Sequence, residues 1–187
     1  AYLDGKKSIL ILGETGVGKS HLAKVIHLNS NRSNSKFKQI NCATLRSQNI
    51  HTQLFGWKKG SYTDAKENGI GAIEDAEGGT LFLDEIGYTD IETQRMLLKF
   101  LDDGTYNRYG DKEERKANVR LIFGTNVDIQ QLSLEKRFSF DLFERISQIV
   151  LNIPPLRNRP RDIESLAEYF CAELNKTNES KLIISSE

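Results

Sequence analysis

Cysteine is nearly missing from this sequence. Cys42 and Cys171 are the two in 187 residues, and they stand too far apart to match any metal-ligand spacing. Reduced thiols in a cytosol are the plain reading. Histidine is as scarce: His21, His27 and His51 have no partner at metal-ligand spacing and read as surface or packing residues. No apolar run approaches the roughly 20 residues that span a bilayer, and the first residues lack the basic-then-apolar pattern of a secretion signal. A cytoplasmic protein with no membrane partner is expected. Net charge is missing too. Lys plus Arg count 26 and Asp plus Glu count 26, so no global field draws the chain to nucleic acid. Any DNA contact must be local or made through another protein or domain.

What remains is the make-up of a globular protein, 38% apolar and 28% charged, with length for one good-sized core. Ile9–Leu12 reads as a buried strand, followed by a glycine-rich turn and a helix over Lys19–Leu28. Phe37–Asn41, Thr80–Leu83, Val119–Phe123 and Ile149–Ile153 read as further strands. The third and fourth of these five are nearly all apolar, as buried parallel strands are. Ile91–Leu101 places Ile91, Met96, Leu97, Phe100 and Leu101 on one helical face. The rhythm is βαβ, which predicts an α/β fold: a parallel sheet with helices on both faces. Asn29–Ser35, Gly56–Gly71 and Gly110–Asn118 read as loops, the last as a solvated hairpin tip. Gly56–Gly71 is too long for an idle connection. A further helix is expected over Asp162–Leu174, capped by Asp162.

Three motifs carry chemistry. Gly13-Glu14-Thr15-Gly16-Val17-Gly18-Lys19-Ser20 fits G-x-x-x-x-G-K-[ST] between a strand and a helix. Glycines let the backbone curl so that its N–H groups face phosphate oxygens, and the helix start adds partial positive charge. Lys19 then reaches the β- and γ-phosphates of ATP, and Ser20 binds Mg²⁺. Leu81-Phe82-Leu83-Asp84-Glu85 ends a buried strand in two acids. Asp84 can hold Mg²⁺ and Glu85 can polarise the water that attacks the γ-phosphate. Gly124-Thr125-Asn126 ends another strand, where ligand groups gather in open α/β sheets. Either Thr125 or Asn126 can sense the γ-phosphate there.

Together these residues resemble the AAA+ P-loop ATPase domain of sigma-54-dependent transcription activators, from about Gly5 to Ala172. The run Gly71–Ile86 is the most specific part, and Asn41-Cys42-Ala43 also matches. The resemblance implies that Asn41 couples nucleotide state to Glu85. It implies a ring oligomer of self copies whose ATP hydrolysis moves a loop against the sigma-54 RNA polymerase holoenzyme. The family loop motif is G-A-F-T-G-A; here it is Gly60-Ser61-Tyr62-Thr63-Asp64-Ala65. Tyr62 keeps an aromatic face for a partner, while Asp64 loses glycine's backbone freedom. A plain surface hairpin is the other reading of this stretch.

The family also has F-R-x-D-L followed by R, whose arginines act on a neighbour's nucleotide. Phe138-Ser139-Phe140-Asp141-Leu142 puts Ser139 at the first arginine, and Arg145 takes the second. The missing first arginine matters unless Arg137 reaches in from two residues upstream, and the plain alternative for Arg145 is an ordinary surface ion-pair partner. Residues 1–156 are expected to form the core and 157–187 the start of a truncated helical lid. The rest of the lid and any DNA-binding helix-turn-helix would lie beyond this stretch. Two rival functions stay open: an AAA+ remodeller of another protein, for which Asp64 speaks, and a nucleotide-gated interaction module with little turnover, for which Ser139 speaks.

Overall fold

The computed structural model describes residues 7–44, 47–63 and 65–176. Asp64 of the partner loop lies outside the described residues. Five strands form one parallel sheet: β1 (Ile9–Leu12), β2 (Phe37–Asn41), β3 (Thr80–Asp84), β6 (Arg120–Thr125) and β7 (Val150–Asn152), in the order β2-β3-β6-β1-β7. The central strand β6 and its neighbour β3 are buried along nearly their whole length. That is why their sequences are almost unbroken apolar runs, whereas the edge strands mix polar residues in.

Alternation splits the core into two layers. On one face Ile9, Ile11, Phe82 and Ile122 pack with Ala23 of α1 (Lys19–Leu28). On the other, Leu10, Leu81, Leu83, Leu121 and Phe123 cluster with Ile50 and Leu54 of α2 (Ser47–Phe55), Leu97 and Phe100 of α4 (Ile91–Asp103), and Leu142 and Ile146 of α6 (Phe140–Ile146). Each such buried side chain contributes about 1.5–3 kcal/mol before entropy is counted. Helices on both faces are thus observed, as the βαβ pattern predicts. Short α3 (Ala72–Asp75) and α5 (Ile129–Leu134) complete this part.

Three readings need correction. The charged stretch expected as a hairpin tip holds β5 (Glu114–Lys116), paired antiparallel with β4 (Thr105–Asn107). Ion pairs such as Lys99–Glu114 at 2.6 Å dress this small ribbon, and β5 is wholly charged, so that strand carries no apolar alternation to find. In α4 the inward face is Thr93, Gln94, Leu97 and Phe100, and Ile91 is exposed. Gln94 sits inside because Nε2 donates to Thr89 O at 2.8 Å and Oε1 accepts from Ser139 N at 2.8 Å. The last helix, α7, runs Pro160–Asn175 with Arg159 as its cap residue. Proline suits a first helical position, so Asp162 falls in the first turn, ion-paired with Arg159 at 3.1 Å, and does not cap.

The chain divides into two compact units, one ending at Ile153 and the other starting at Pro154. In the second, a 3₁₀ turn at Leu156–Asn158 precedes α7, which bears Ile163, Leu166, Tyr169 and Phe170 exposed. No helix among the described residues is long and apolar enough to cross a membrane.

Candidate functional site

Parallel strands bring their C-terminal ends to one edge. Register pairs Asn41 with Asp84 and Leu12 with Thr125, so the loops after β1, β3 and β6 meet there. After β1 the chain curls through Gly13–Gly18 into α1. Gly16 and Gly18 hold φ of 84° and 103° with open space where a Cβ would stand. The left-handed backbone, not crowding, requires glycine at both. The curl places Lys19 inward, 5% exposed, where its Nζ donates to Gly13 O at 3.0 Å and Glu14 O at 3.3 Å. Its third partner is Glu85 Oε1 at 3.2 Å, a buried ion pair.

Glu85 takes φ 56° and ψ 45°, a left-handed conformation that costs a non-glycine residue about 1–2 kcal/mol. Positive φ at a functional carboxylate turns it away from the strand direction. Its other oxygen, Oε2, accepts from Asn126 N at 3.0 Å, and its own N–H donates to Asp84 Oδ1 at 3.0 Å. Asp84 also accepts from the Ser20 hydroxyl, which in turn accepts from Gln39 Nε2 at 3.1 Å. Burial raises the Asp84 pKa above its usual value; Lys19 works against this and Glu85 adds to it. A serine hydroxyl and a carboxylate turned to one point are hard oxygen donors, a set that fits Mg²⁺.

The predicted residues thus fall into two groups. Thr15, Lys19, Ser20, Asp84, Glu85 and Asn126 converge. Asn126 ties them, since its Nδ2 donates to Thr15 Oγ1 at 2.9 Å while its backbone holds Glu85. Thr125 is fully buried with its hydroxyl accepting from Val127 N at 3.2 Å, and it lines a cavity together with Gly13, Glu14 and Asn126. Asn41 stands beside Asp84, yet its Oδ1 accepts from Ala43 N at 2.9 Å and closes a 3₁₀ turn at Cys42–Thr44. It does not hold Glu85 in this state. Arg145 is apart from the phosphate loop, ion-paired with Asp102 at 3.2 Å and donating to Leu101 O at 3.2 Å. Ser139 has a structural task of its own, accepting from Leu142 N at 3.3 Å as the N-cap of α6. Arg137 pairs with Glu135 at 3.2 Å.

Gly60–Ala65 is closed at its base by Gly60 N donating to Ala65 O at 2.8 Å. Ala65 is buried, while Tyr62 is 42% exposed with its ring 6.1 Å from that of Trp57. The stem is a β-bridge between Trp57 and Gly69, and it also pairs with Tyr109: Lys58 N donates to Tyr109 O at 3.0 Å and Tyr109 N to Gly56 O at 2.9 Å. Sequence reasoning missed Gln39, Trp57 and Tyr109, whose partners lie far along the chain and leave no local pattern.

Known proteins fit this geometry. A family profile described as the Sigma-54 interaction domain matches residues 1–152. The alginate biosynthesis transcriptional regulatory protein AlgB of Pseudomonas putida is 43% identical over 169 residues, 90% of this chain and 38% of that protein. The anaerobic nitric oxide reductase transcription regulator NorR of Aeromonas hydrophila is 44% identical over 164 residues, 88% of this chain and 32% of its own length. This chain therefore spans under two fifths of these curated relatives. Among solved structures, NtrX from Brucella abortus aligns with a TM-score of 0.88 at 34% identity, over 97% of this chain and 41% of that one. NtrX in complex with ATP aligns at 0.81 and 35%, over 90% of this chain and 38% of that one.

Proposed function

Because the chain belongs to the family of sigma-54 interaction domains and has its AAA+ fold, we propose that it is the ATP-binding and ATP-hydrolysing motor segment of a transcriptional regulator. Its target is the closed complex of the sigma-54 RNA polymerase holoenzyme. One observation carries this reading: Lys19, Glu85 and Asn126 form a connected set around the phosphate loop.

The set acts as follows. Phosphate oxygens compete with Glu85 for the Lys19 amine, because both are anions seeking one buried cation. Once nucleotide takes Lys19, the Glu85 carboxylate is free to accept a proton from the attacking water. The amide of Asn126 keeps that carboxylate aimed, and its side chain reports the state of Thr15 in the phosphate loop. Ser20 and Asp84 would hold Mg²⁺, which supplies positive charge against the phosphate oxygens. In a ring of identical subunits, a neighbour's Arg145 would stabilise the charge that develops on the γ-phosphate, an effect of about 10³-fold or more. The exposed Tyr62 supports a partner-facing loop, and DNA contact falls to domains outside this stretch.

The second reading is a nucleotide-gated interaction module with little turnover. Ser139 favours it, since a capping serine stands where the family carries its first trans arginine. Steady-state ATPase activity against protein concentration separates the two. A motor gains specific activity as it assembles and loses it in Arg145→Ala. A flat rate near zero, with nucleotide still bound, supports the gated module. A pull-down with a transition-state mimic bound then distinguishes sigma-54 from another protein target.

A further inference from the structure

Alternation along β2 decides which of its side chains meet α1. Phe37 packs into the layer that holds Ala23, its ring 5.3 Å from that of His27 on α1, while Ile40 lies in the opposite layer. Gln39, two residues after Phe37, therefore faces the α1 side. Toward the C-terminal end of the strand that side meets the first turn of α1, and there Gln39 Nε2 donates to Ser20 Oγ at 3.1 Å. The sheet thus reaches a side chain that the phosphate loop supplies, 19 residues earlier in the chain.

A hydroxyl has one hydrogen to give and two lone pairs to offer. The Ser20 hydrogen goes to Asp84, and one lone pair takes the Gln39 amide. A single lone pair is left over, and the other two contacts fix its direction about the oxygen. Gln39 does this without adding charge. A carboxylate in its place would draw the Ser20 proton away from Asp84, and an ammonium would oppose a bound cation. Gln39 is exposed and adds little to the core; its contact is with the site.

We propose that Gln39 is a positioning residue for the divalent cation: it orients the Ser20 hydroxyl so that the remaining lone pair is left to the metal that Ser20 and Asp84 would share. The inference rests on the reading of that pair as Mg²⁺ donors. It adds that β2, and not the phosphate loop alone, sets the affinity for the metal. Groups that orient a metal ligand change metal affinity by about 10–100-fold, and an exposed, uncharged contact belongs at the low end of that range.

The test is the Mg²⁺ dependence of binding of a non-hydrolysable ATP analogue, followed by calorimetry from excess chelator through rising free Mg²⁺. Gln39→Met keeps the length of the side chain and removes its donor, and an unchanged melting curve checks the fold. In chelator its affinity for the analogue should equal that of the unsubstituted chain. The Mg²⁺ concentration that gives half of the metal's effect should rise about tenfold. In a Ser20→Ala background the same substitution should shift nothing further, because the oxygen it orients is gone. An unmoved Mg²⁺ midpoint overturns the proposal, as does an equal loss of affinity with and without metal, or a shift that persists in Ser20→Ala. If Ser20→Ala alone leaves the Mg²⁺ dependence intact, the metal reading itself falls, and this inference with it.

Discussion

Glu85→Gln tests whether the lysine of the phosphate loop is held by its own carboxylate before nucleotide arrives. The pair is 3.2 Å long with side chains 5% and 9% exposed. Removing one partner of a buried ion pair costs about 3–5 kcal/mol. Lys19 keeps Gly13 O and Glu14 O, and the glutamine oxygen can still accept a neutral hydrogen bond, worth about 1 kcal/mol. A loss of about 2 kcal/mol in the nucleotide-free chain follows from these terms. With a urea slope near 2 kcal/mol/M, the unfolding midpoint falls by about 1 M. A triphosphate supplies the missing negative charge, so an unhydrolysed ATP analogue should close the gap. By linkage the same 2 kcal/mol reappears as affinity, about thirtyfold tighter binding in Glu85→Gln. Urea unfolding followed by circular dichroism, with and without the analogue, and calorimetric binding read both quantities. Equal stability of the two nucleotide-free chains, or a deficit that persists at saturation, would refute the competition.

Asn126→Ala should lower turnover about tenfold or more while nucleotide affinity changes little, because its side chain positions and its backbone contact with Glu85 remains. Thr125→Val should instead lower stability by about 1 kcal/mol, through the lost acceptor for Val127 N, and leave nucleotide affinity alone. Ser139→Ala should lower stability by about 1 kcal/mol in thermal or urea unfolding; no loss would remove its capping role. Burial lowers the pKa of His27 and of His51 below the ordinary histidine value of 6.5. The unfolded chain then binds protons first, so stability falls as pH drops from 6.5 through the lower folded values. His27→Gln should flatten that fall in urea midpoints measured between pH 7.5 and 5.5. Burial pushes the Cys42 thiol up to about 12, with Asp84 and Glu85 adding to it; labelling at pH 8 should modify Cys171 alone until denaturant is added.

Some parts of the molecule were legible because a local rule leaves no other choice. Only glycine adopts the backbone of Gly16 and Gly18 freely, and strands buried on both faces must be apolar throughout, as Leu81–Leu83 is. The ribbon β4–β5 was illegible for the converse reason: three residues are too few to display alternation, β5 is wholly charged, and Tyr106 of β4 is a lone buried residue between two polar ones. In the site, residue types announced a phosphate loop and a pair of acids. They could not say which neighbour an amide would choose. Thr125 and Asn126 are adjacent, yet the pleat sends one into the core and leaves the other at the strand end. Asn41 was read through its family role, while here its side chain is engaged by the turn that follows. Ser139 looked like a lost arginine because its partner is a backbone N–H, which sequence alone does not display.

Trp57 and Tyr109 give the surface loop a mechanical property. Its stem shares backbone hydrogen bonds with residues that lead into the β4–β5 ribbon, so the two flaps are leaves on a common hinge. Pulling on the tip at Tyr62 strains Tyr109 at once, and Tyr109 is covalently continuous with the strand that follows α4. Force applied outside therefore has a short main-chain route to α4, near whose far end Gln94 accepts from Ser139 at the start of the helix that carries Arg145.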